Sequence, residues 1–206
     1  MNRFVLLPVL LLTSVLCEAS NWFSSSRFTA DAVEVYKTAD GQNLELFIFY
    51  PDSTVPTEPA PTIILFHGGG YTSGTPNVFF YACEYFASRG MVAMSARYRL
   101  NNTEGARRDG KSAMRYVIEH ADRLGVDTDL LAAGGGSAGG NLAVTLANPD
   151  DHNEPTDDLS VSAAPDALVL FNPVGGGYNA TDMPPTLAQW GDQDTFITPA
   201  QALANQ

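Results

Sequence analysis

The stretch that decides the fold reads Leu-Leu-Ala-Ala-Gly-Gly-Gly-Ser-Ala-Gly-Gly-Asn-Leu-Ala-Val, residues 130–144. It places Ser137 among glycines, between a short apolar run and a segment of small helix-forming residues. That order predicts a buried strand that turns sharply into a helix. In such a turn Gly135-x-Ser137-x-Gly139 forms a nucleophile elbow, because glycines avoid clashes across the turn and leave the serine Oγ exposed. We therefore interpret Ser137 as a nucleophile.

The same residues fit a second pattern, Gly134-x-Gly136-x-x-Gly139, which is the dinucleotide-binding fingerprint. A dinucleotide site also needs an acidic residue about 20 positions further on, at the end of the next strand. Here Asp157 and Asp158 lie instead in a polar segment. An ordinary glycine turn is a third interpretation, and the glycines alone leave all three open.

Length and composition indicate a globular protein. The chain has 206 residues, of which 45% are hydrophobic and 17% are charged, so it can form one domain with a sizeable core. The net charge of -12 argues against nucleic acid or an anionic membrane surface as a partner.

The N-terminus has the pattern of a secretory signal peptide over residues 1–19. Residues 1–3 include an arginine, Phe4–Leu16 is apolar, and small residues precede Ser20. The apolar run is too short to span a bilayer, which takes about 20 residues. We expect a secreted or periplasmic protein without a membrane span, with a lipid anchor on Cys17 as a less favoured alternative.

Strand-like and helix-like segments alternate after the N-terminal region. The predicted strands are residues 32–37 and 44–50, which form a hairpin, and then 62–66, 91–96, 130–133, 167–171 and 186–190. The predicted helices are residues 77–88, 107–124 and 138–147. This alternation predicts an α/β fold with a mostly parallel sheet covered by helices on both faces.

Two further features have structural interpretations. The segment 148–165 holds acidic residues and His152, and its spacing matches no calcium loop, so we expect a solvated connection and no metal site. Cys83 is the cysteine that remains after signal removal, and we interpret it as a small buried hydrophobe.

A second glycine cluster, His67-Gly68-Gly69-Gly70, directly follows the strand that ends at Phe66. Acyl transfer passes through a tetrahedral oxyanion, which fixed backbone N–H groups stabilise, and consecutive glycines let those groups approach the substrate. We expect a side chain at Gly69 to occupy the place of the acyl oxygen. For His67 we expect only a role in shaping the loop.

Four groups of residues together carry a resemblance to a known family. They are His67 to Gly70, Tyr98-Arg99-Leu100, Asp109, and Gly134 to Gly140. From about residue 31 onward the chain resembles the α/β-hydrolase esterases of the hormone-sensitive-lipase type and the related bacterial acetyl and feruloyl esterases. The resemblance implies carboxylic ester hydrolysis with Ser137 as nucleophile, and an oxyanion hole formed by the backbone N–H groups of Gly69, Gly70 and Ala138.

The resemblance also implies an acid in a Gly-x-x-Asp pattern after a late strand. The sequence Gly191-Asp192-Gln193-Asp194 fits that pattern. Asp194 is therefore the expected carboxylate that orients the catalytic imidazole, and Asp192 is the alternative.

The catalytic histidine of the family lies about 30 residues beyond the acid, but this sequence ends at Gln206. His67 belongs to the glycine loop, His120 to a helix on the opposite side, and His152 to the acidic segment. Without a general base a serine is a poor nucleophile. We therefore expect a fragment, with an incomplete domain from residue 31 to 206 that lacks its last strand and helix.

The leading hypothesis is a secreted serine esterase for short acyl esters, such as acetyl or feruloyl groups on polysaccharide. It needs no cofactor or metal, and its partner is a small-molecule or polysaccharide ester. Two alternatives stay open. One is a noncatalytic scaffold of the same fold with a binding role, and the other is a serine peptidase or amidase.

Overall fold

Seven strands form one mixed sheet in the computed structural model, which describes residues 28–148, 150–174 and 183–191. The strands are β1 (Ala32–Ala39), β2 (Gln42–Phe49), β3 (Ala60–Phe66), β4 (Val92–Ala96), β5 (Val126–Gly136), β6 (Ala167–Phe171) and β7 (Thr186–Gln189). Their order in the sheet is β1-β2-β4-β3-β5-β6-β7. Strand β2 runs antiparallel to both of its neighbours, and all pairs from β4 to β7 are parallel.

Helices cover both faces of this sheet, as the sequence predicts. They are α1 (Phe80–Ala87), α2 (Thr103–Glu119), α3 (Ala121–Leu124) and α4 (Ala138–Leu146). Met114 of α2 and Leu142 of α4 are fully buried in the larger core on one face. Cys83 of α1 packs with Ile63 and Leu65 on the other face. The predicted α/β class with a mostly parallel sheet is confirmed.

The predicted helix over residues 107–124 differs at both ends. Helix α2 begins at Thr103, because the Asn102 side chain accepts a hydrogen bond of 2.8 Å from the Gly105 N–H and caps the first turn. The helix ends at Glu119, and α3 follows after His120. The predicted helix over residues 77–88 begins instead with a 3-10 turn, Pro76–Phe79, which precedes α1.

Strand β5 is longer than the predicted strand over residues 130–133, since it continues through three glycines to Gly136. A Cβ on Gly134 would lie 2.4 Å from the Val169 carbonyl oxygen, and one on Gly135 would lie 2.4 Å from the Phe66 carbonyl oxygen. These glycines therefore belong to the sheet rather than to the turn, because the neighbouring backbones leave no room for a side chain.

The prediction of a solvated connection over residues 148–165 is wrong for its middle part. Glu154 forms an ion pair of 2.7 Å with Lys37 of β1, and Asp157 one of 3.2 Å with Arg115 of α2. Because Arg115 is almost fully buried, its guanidinium needs hydrogen-bond acceptors, and Asp157 is one of them. This contact holds the segment against α2.

Cys83 is buried and free, as predicted, and burial raises the pKa of its thiol. Within the described residues, no helix has both the length and the apolar character needed to cross a membrane. The expected signal peptide over residues 1–19 and the anchor residue Cys17 lie outside the described ranges.

Candidate active site

Ser137 lies between β5 and α4 in a strained backbone conformation. Its φ is 51° and its ψ is -120°, which is rare for a residue with a side chain. Hydrogen bonds hold this conformation on both sides: the Ser137 N–H donates to the Phe171 carbonyl at 3.0 Å, and the Asn141 N–H donates to the Ser137 carbonyl at 3.1 Å. The half-buried serine thus occupies the sharp strand-to-helix turn that the sequence predicts.

Helix α4 starts in direct contact with the end of β3. A Cβ on Gly139 would lie 1.9 Å from the Phe66 carbonyl oxygen and 2.5 Å from that of His67. Only a glycine fits there, and the close contact brings the N-terminus of α4 against the second glycine cluster. Ala138, whose N–H is an expected oxyanion donor, begins this helix and is buried.

The second glycine cluster forms a tight loop in which two carbonyl groups accept hydrogen bonds from residues of the same loop. The Gly68 carbonyl accepts a hydrogen bond of 2.7 Å from His67 Nδ1, and the Gly69 carbonyl accepts from the N–H groups of Thr72 and Ser73 at 3.0 and 3.1 Å. In a trans peptide the N–H points opposite to the preceding carbonyl. The N–H groups that follow these two carbonyls, those of Gly69 and Gly70, therefore point away from the loop.

The structure corrects which glycine faces the serine. A Cβ on Gly68 would lie 3.2 Å from Ser137 Cβ, whereas one on Gly69 would lie 2.1 Å from the Ser73 carbonyl oxygen. The expectation that a side chain at Gly69 enters the acyl site is therefore wrong. Gly69 is required for the turn of its own loop, where its φ is 118°, and Gly68 makes the close approach to Ser137.

His67 shapes this loop, as the sequence suggests. Its ring is buried and stacks on Tyr98 at 4.3 Å, and the Tyr98 hydroxyl donates to the His67 carbonyl at 2.6 Å. Because a carbonyl only accepts, His67 Nδ1 carries the proton in its bond to Gly68. Burial lowers the pKa of His67, so the ring is held in its neutral form.

A polar cluster that the sequence does not reveal connects the loop to α4. The Tyr71 hydroxyl donates to Asn141 Oδ1 at 2.8 Å, and Arg107 Nη2 donates to the same oxygen at 3.3 Å. Tyr71 directly follows the glycines, and Asn141 lies one turn after Ser137. The only sequence signal is that Asn141 follows Gly140 in the glycine-rich stretch, which does not predict either contact.

The remaining candidate residues are distributed as follows. His120 Nδ1 bonds the Tyr116 carbonyl at 2.8 Å, and His152 Nδ1 bonds Glu104 at 2.7 Å. In the described part of the chain, no side chain hydrogen-bonds to Ser137 Oγ. Asp192 and Asp194 lie outside the described residues, which end at Gly191 after β7.

Strand β7 nevertheless fixes where the chain leaves the sheet. It is parallel to β6, and the Asn172 N–H donates to the Gln189 carbonyl at 2.7 Å. The carboxyl end of β7 therefore lies at the same edge of the sheet as Ser137. Within the described ranges, no group of three or more His, Cys, Asp or Glu residues could hold a metal ion.

Comparison with known proteins decides the family. The BD-FAE family description matches residues 46–166, which is more than half of the chain. The chain belongs to the BD-FAE family. The match includes both glycine clusters, and it supports the elbow interpretation of Ser137 over the dinucleotide fingerprint.

Solved structures of esterases confirm the α/β-hydrolase fold. Thermogutta terrifontis esterase 2 phosphonylated by cyclosarin has a TM-score of 0.75 and 35% identity, over 84% of this chain and 75% of that chain. The butyrate-bound form of the same esterase has a TM-score of 0.75 and 32% identity, over 84% of this chain and 76% of that chain.

Several curated relatives are named as esterases or hydrolases. Ethyl acetate hydrolase from Pseudomonas putida is 33% identical over 115 residues, 54% of this chain and 36% of that protein. Esterase LipI from Mycobacterium tuberculosis is 32% identical over 104 residues, 48% of this chain and 32% of that protein. The matched stretches thus span about a third of these relatives.

Proposed function

We propose that this BD-FAE family member hydrolyses carboxylic esters through an acyl-enzyme on Ser137. The observation that carries the proposal is the strained backbone of Ser137, with φ 51°, held between Phe171 and Asn141 beside the glycine loop. Strain of this kind persists only where the surrounding structure fixes it, and it is typical of functional sites. The esterase relatives support the same reaction class.

In the proposed reaction, Ser137 Oγ attacks the ester carbonyl carbon, and its proton passes to a base. The negative charge that develops on the carbonyl oxygen is stabilised by the N–H groups of Gly69, Gly70 and Ala138. Collapse of the tetrahedral intermediate breaks the bond to the alcohol, which leaves with the proton. A water molecule then hydrolyses the acyl-serine, giving the carboxylic acid and the free enzyme.

The base is to be found elsewhere than at the three described histidines. His67 Nδ1 bonds the Gly68 carbonyl, and its ring stacks on Tyr98. The Nδ1 atoms of the other two histidines, His120 and His152, bond a backbone carbonyl and a glutamate carboxylate. For the carboxylate that orients the base we propose Asp194, because β7 leads to the edge of the sheet where Ser137 lies. Asp192 is the alternative.

The proposed substrates are esters of short acyl groups, including acetyl or feruloyl groups on polysaccharide. The names of two relatives support a short acyl chain: one is an ethyl acetate hydrolase, and one esterase structure holds butyrate. The reaction as written requires neither a metal nor an organic cofactor.

Secretion is a separate proposal, and it rests on the apolar run Phe4–Leu16. When the protein is expressed in a bacterial host, N-terminal sequencing of the exported product should begin at Ser20. A product that stays in the cytoplasm with residues 1–19 intact would refute this proposal.

The test of the activity compares the full-length gene product with its Ser137→Ala variant on p-nitrophenyl acetate. We expect turnover to fall by about 10³- to 10⁶-fold, as for other serine hydrolases without their nucleophile. The matched control is Ser88→Ala, an exposed serine at the end of α1, which should keep full activity.

Two results would replace this proposal. If the folded wild-type protein hydrolyses no ester, the scaffold alternative is favoured. If it cleaves p-nitroanilides faster than p-nitrophenyl esters of the same acid, the peptidase or amidase alternative is favoured.

A further inference from the structure

Arg107 lies where two parts of the candidate site meet. Its Nη2 donates at 3.3 Å to Asn141 Oδ1, one turn after Ser137 on α4. The same oxygen accepts the hydroxyl of Tyr71, the residue that follows the glycine loop. A single side chain from α2 thus touches the connection between the nucleophile helix and the loop.

In the described part of the chain, Arg107 forms no ion pair with a carboxylate. Six of the nine described lysine and arginine residues form ion pairs with carboxylates. The next residue, Arg108, binds Glu104 at 3.1 Å. Among the described residues, the hydrogen bond of Arg107 goes to the neutral Asn141 amide, and nothing accepts a hydrogen bond from its solvent-shielded Nε.

An arginine without a carboxylate is notable in this protein, since the chain carries 23 acidic and 11 basic residues. Buried polar groups are normally hydrogen-bonded, so an exception beside a candidate active site indicates a function. A guanidinium is planar and offers a fork of donors that matches a carboxylate in two parallel hydrogen bonds.

We propose that Arg107 is a specificity residue that binds a carboxylate group of the ester substrate. The inference rests on the proposed ester hydrolysis and adds a substrate class. These substrates are esters whose alcohol or acyl part carries a free carboxylate in addition to the ester group. Arg107 takes no part in bond making or breaking. It holds the substrate near Ser137 through the fork of its guanidinium.

The overall charge of the protein does not oppose such a substrate at short range. The net charge of -12 repels anions at a distance, but salt screens exposed charges over about 8 Å at physiological ionic strength. A half-buried guanidinium in direct contact is screened much less. The local charge of Arg107 therefore decides binding once the substrate reaches the site.

Two pairs of substrates test the proposal on the full-length gene product. On the alcohol side, 4-carboxyphenyl acetate is compared with its neutral analogue 4-carbamoylphenyl acetate. On the acyl side, the monophenyl ester of glutaric acid is compared with the phenyl ester of glutaric acid monoamide. Preference within one pair shows which part of the substrate carries the carboxylate.

We expect the wild-type protein to prefer the carboxylate ester in one pair. Arg107→Gln should raise KM for that ester about 10- to 100-fold, since a hydrogen-bonded charge pair is lost, and change the amide ester by less than about threefold. Arg108→Gln, whose arginine is the neighbour paired with Glu104, is the matched control and should keep the preference.

Absence of a preference in both pairs would overturn the proposal. An equal rise in KM for the carboxylate and amide esters in Arg107→Gln would also overturn it, because that result means that Arg107 only supports Asn141. If the wild type hydrolyses none of the four esters, the proposed function fails separately. Calorimetric binding of 4-hydroxybenzoate and glutarate then decides: weaker binding to Arg107→Gln supports the role of Arg107, and equal binding refutes it.

Discussion

The turn after β3 and the turn after β5 lie side by side at the carboxyl ends of neighbouring parallel strands, and both are rich in glycine. In the turn after β3, Gly69 and Gly70 have φ values of 118° and 62°, which side chains rarely allow. This turn needs glycine for its backbone conformation.

The turn after β5 needs glycine for a different reason. Gly135 and Gly139 have ordinary φ values, but a Cβ on either would collide with the Phe66 carbonyl oxygen. Here glycine is required for its small size, and the positive φ falls on Ser137. The difference shows that the strained residue of the site is its candidate nucleophile, while the surrounding glycines supply the close packing that holds it.

The largest expected effect tests the packing role. Gly139→Ala places a Cβ 1.9 Å from the backbone oxygen of Phe66, and backbone on both sides cannot move freely. We expect a loss of at least about 3 kcal/mol in the free energy of unfolding, or no folded protein. Urea denaturation followed by circular dichroism measures this.

The control for that variant is Gly41→Ala in the hairpin turn. Gly41 has a φ of 75° but nothing within 4 Å of its Cβ position, so only the conformational cost of about 1 kcal/mol applies. If Gly139→Ala were no less stable than Gly41→Ala, the close contact between α4 and β3 would not be essential.

A smaller effect on activity is expected at Gly68, and it distinguishes Gly68 from Gly69 in the loop after β3. Gly68→Ala brings a methyl group against Ser137 Cβ, at 3.2 Å, where the neighbour must shift slightly. We expect kcat for p-nitrophenyl acetate to fall about 10-fold with little loss of stability, as for a small displacement of reacting groups.

Gly69→Ala is the comparison variant, because its Cβ would meet the Ser73 carbonyl and its φ is unfavourable. It should lower the melting temperature more than Gly68→Ala does. Full activity in folded Gly68→Ala, or equal loss of stability in the two variants, would show that Gly68 does not face Ser137 at the candidate site.

The smallest expected effect concerns pH. Burial lowers the pKa of His67 below its unfolded value of about 6.5. At pH values between the folded and the unfolded pKa, the unfolded chain binds more protons at His67 than the folded chain does. The stability that neutral His67 contributes is therefore present above about pH 6.5, and it is lost as the pH falls toward the folded pKa.

Replacing His67 with glutamine removes this titration and keeps a hydrogen-bond donor for Gly68. The difference in unfolding free energy between wild type and His67→Gln should therefore shrink from pH 7.5 to pH 5. A difference that stays constant over this range would mean that His67 does not stay neutral in the fold.

Much of the fold follows from local patterns in the sequence. Uninterrupted apolar segments such as Ile63 to Phe66 require burial on both faces and so predict parallel strands. The glycines around Ser137 predict the elbow. Helix α2 begins earlier than its apolar periodicity suggests, because Asn102 caps it. Asparagine is a preferred N-cap residue, so this start does have a local signal in the sequence.

Other features depend on contacts between distant segments and leave no local signal. Whether Gly68 or Gly69 faces Ser137 depends on how the loop bends back to Ser73. The contact of Arg107 with Asn141 joins two helices that are separate in sequence. The ion pair between Asp157 and Arg115 is hidden in the same way, since an acidic segment looks solvated until a buried cation is found beside it.

The central claim is that Ser137 is the nucleophile, and covalent labelling tests it most directly. A related esterase has been described as phosphorylated by paraoxon. On incubation of the full-length protein with paraoxon, Ser137 Oγ should attack phosphorus and expel one p-nitrophenolate per chain. Mass spectrometry of proteolytic peptides should find one diethylphosphoryl group on Ser137, and none in Ser137→Ala. A label on another residue, or active esterase that stays unlabelled and uninhibited, would contradict the account.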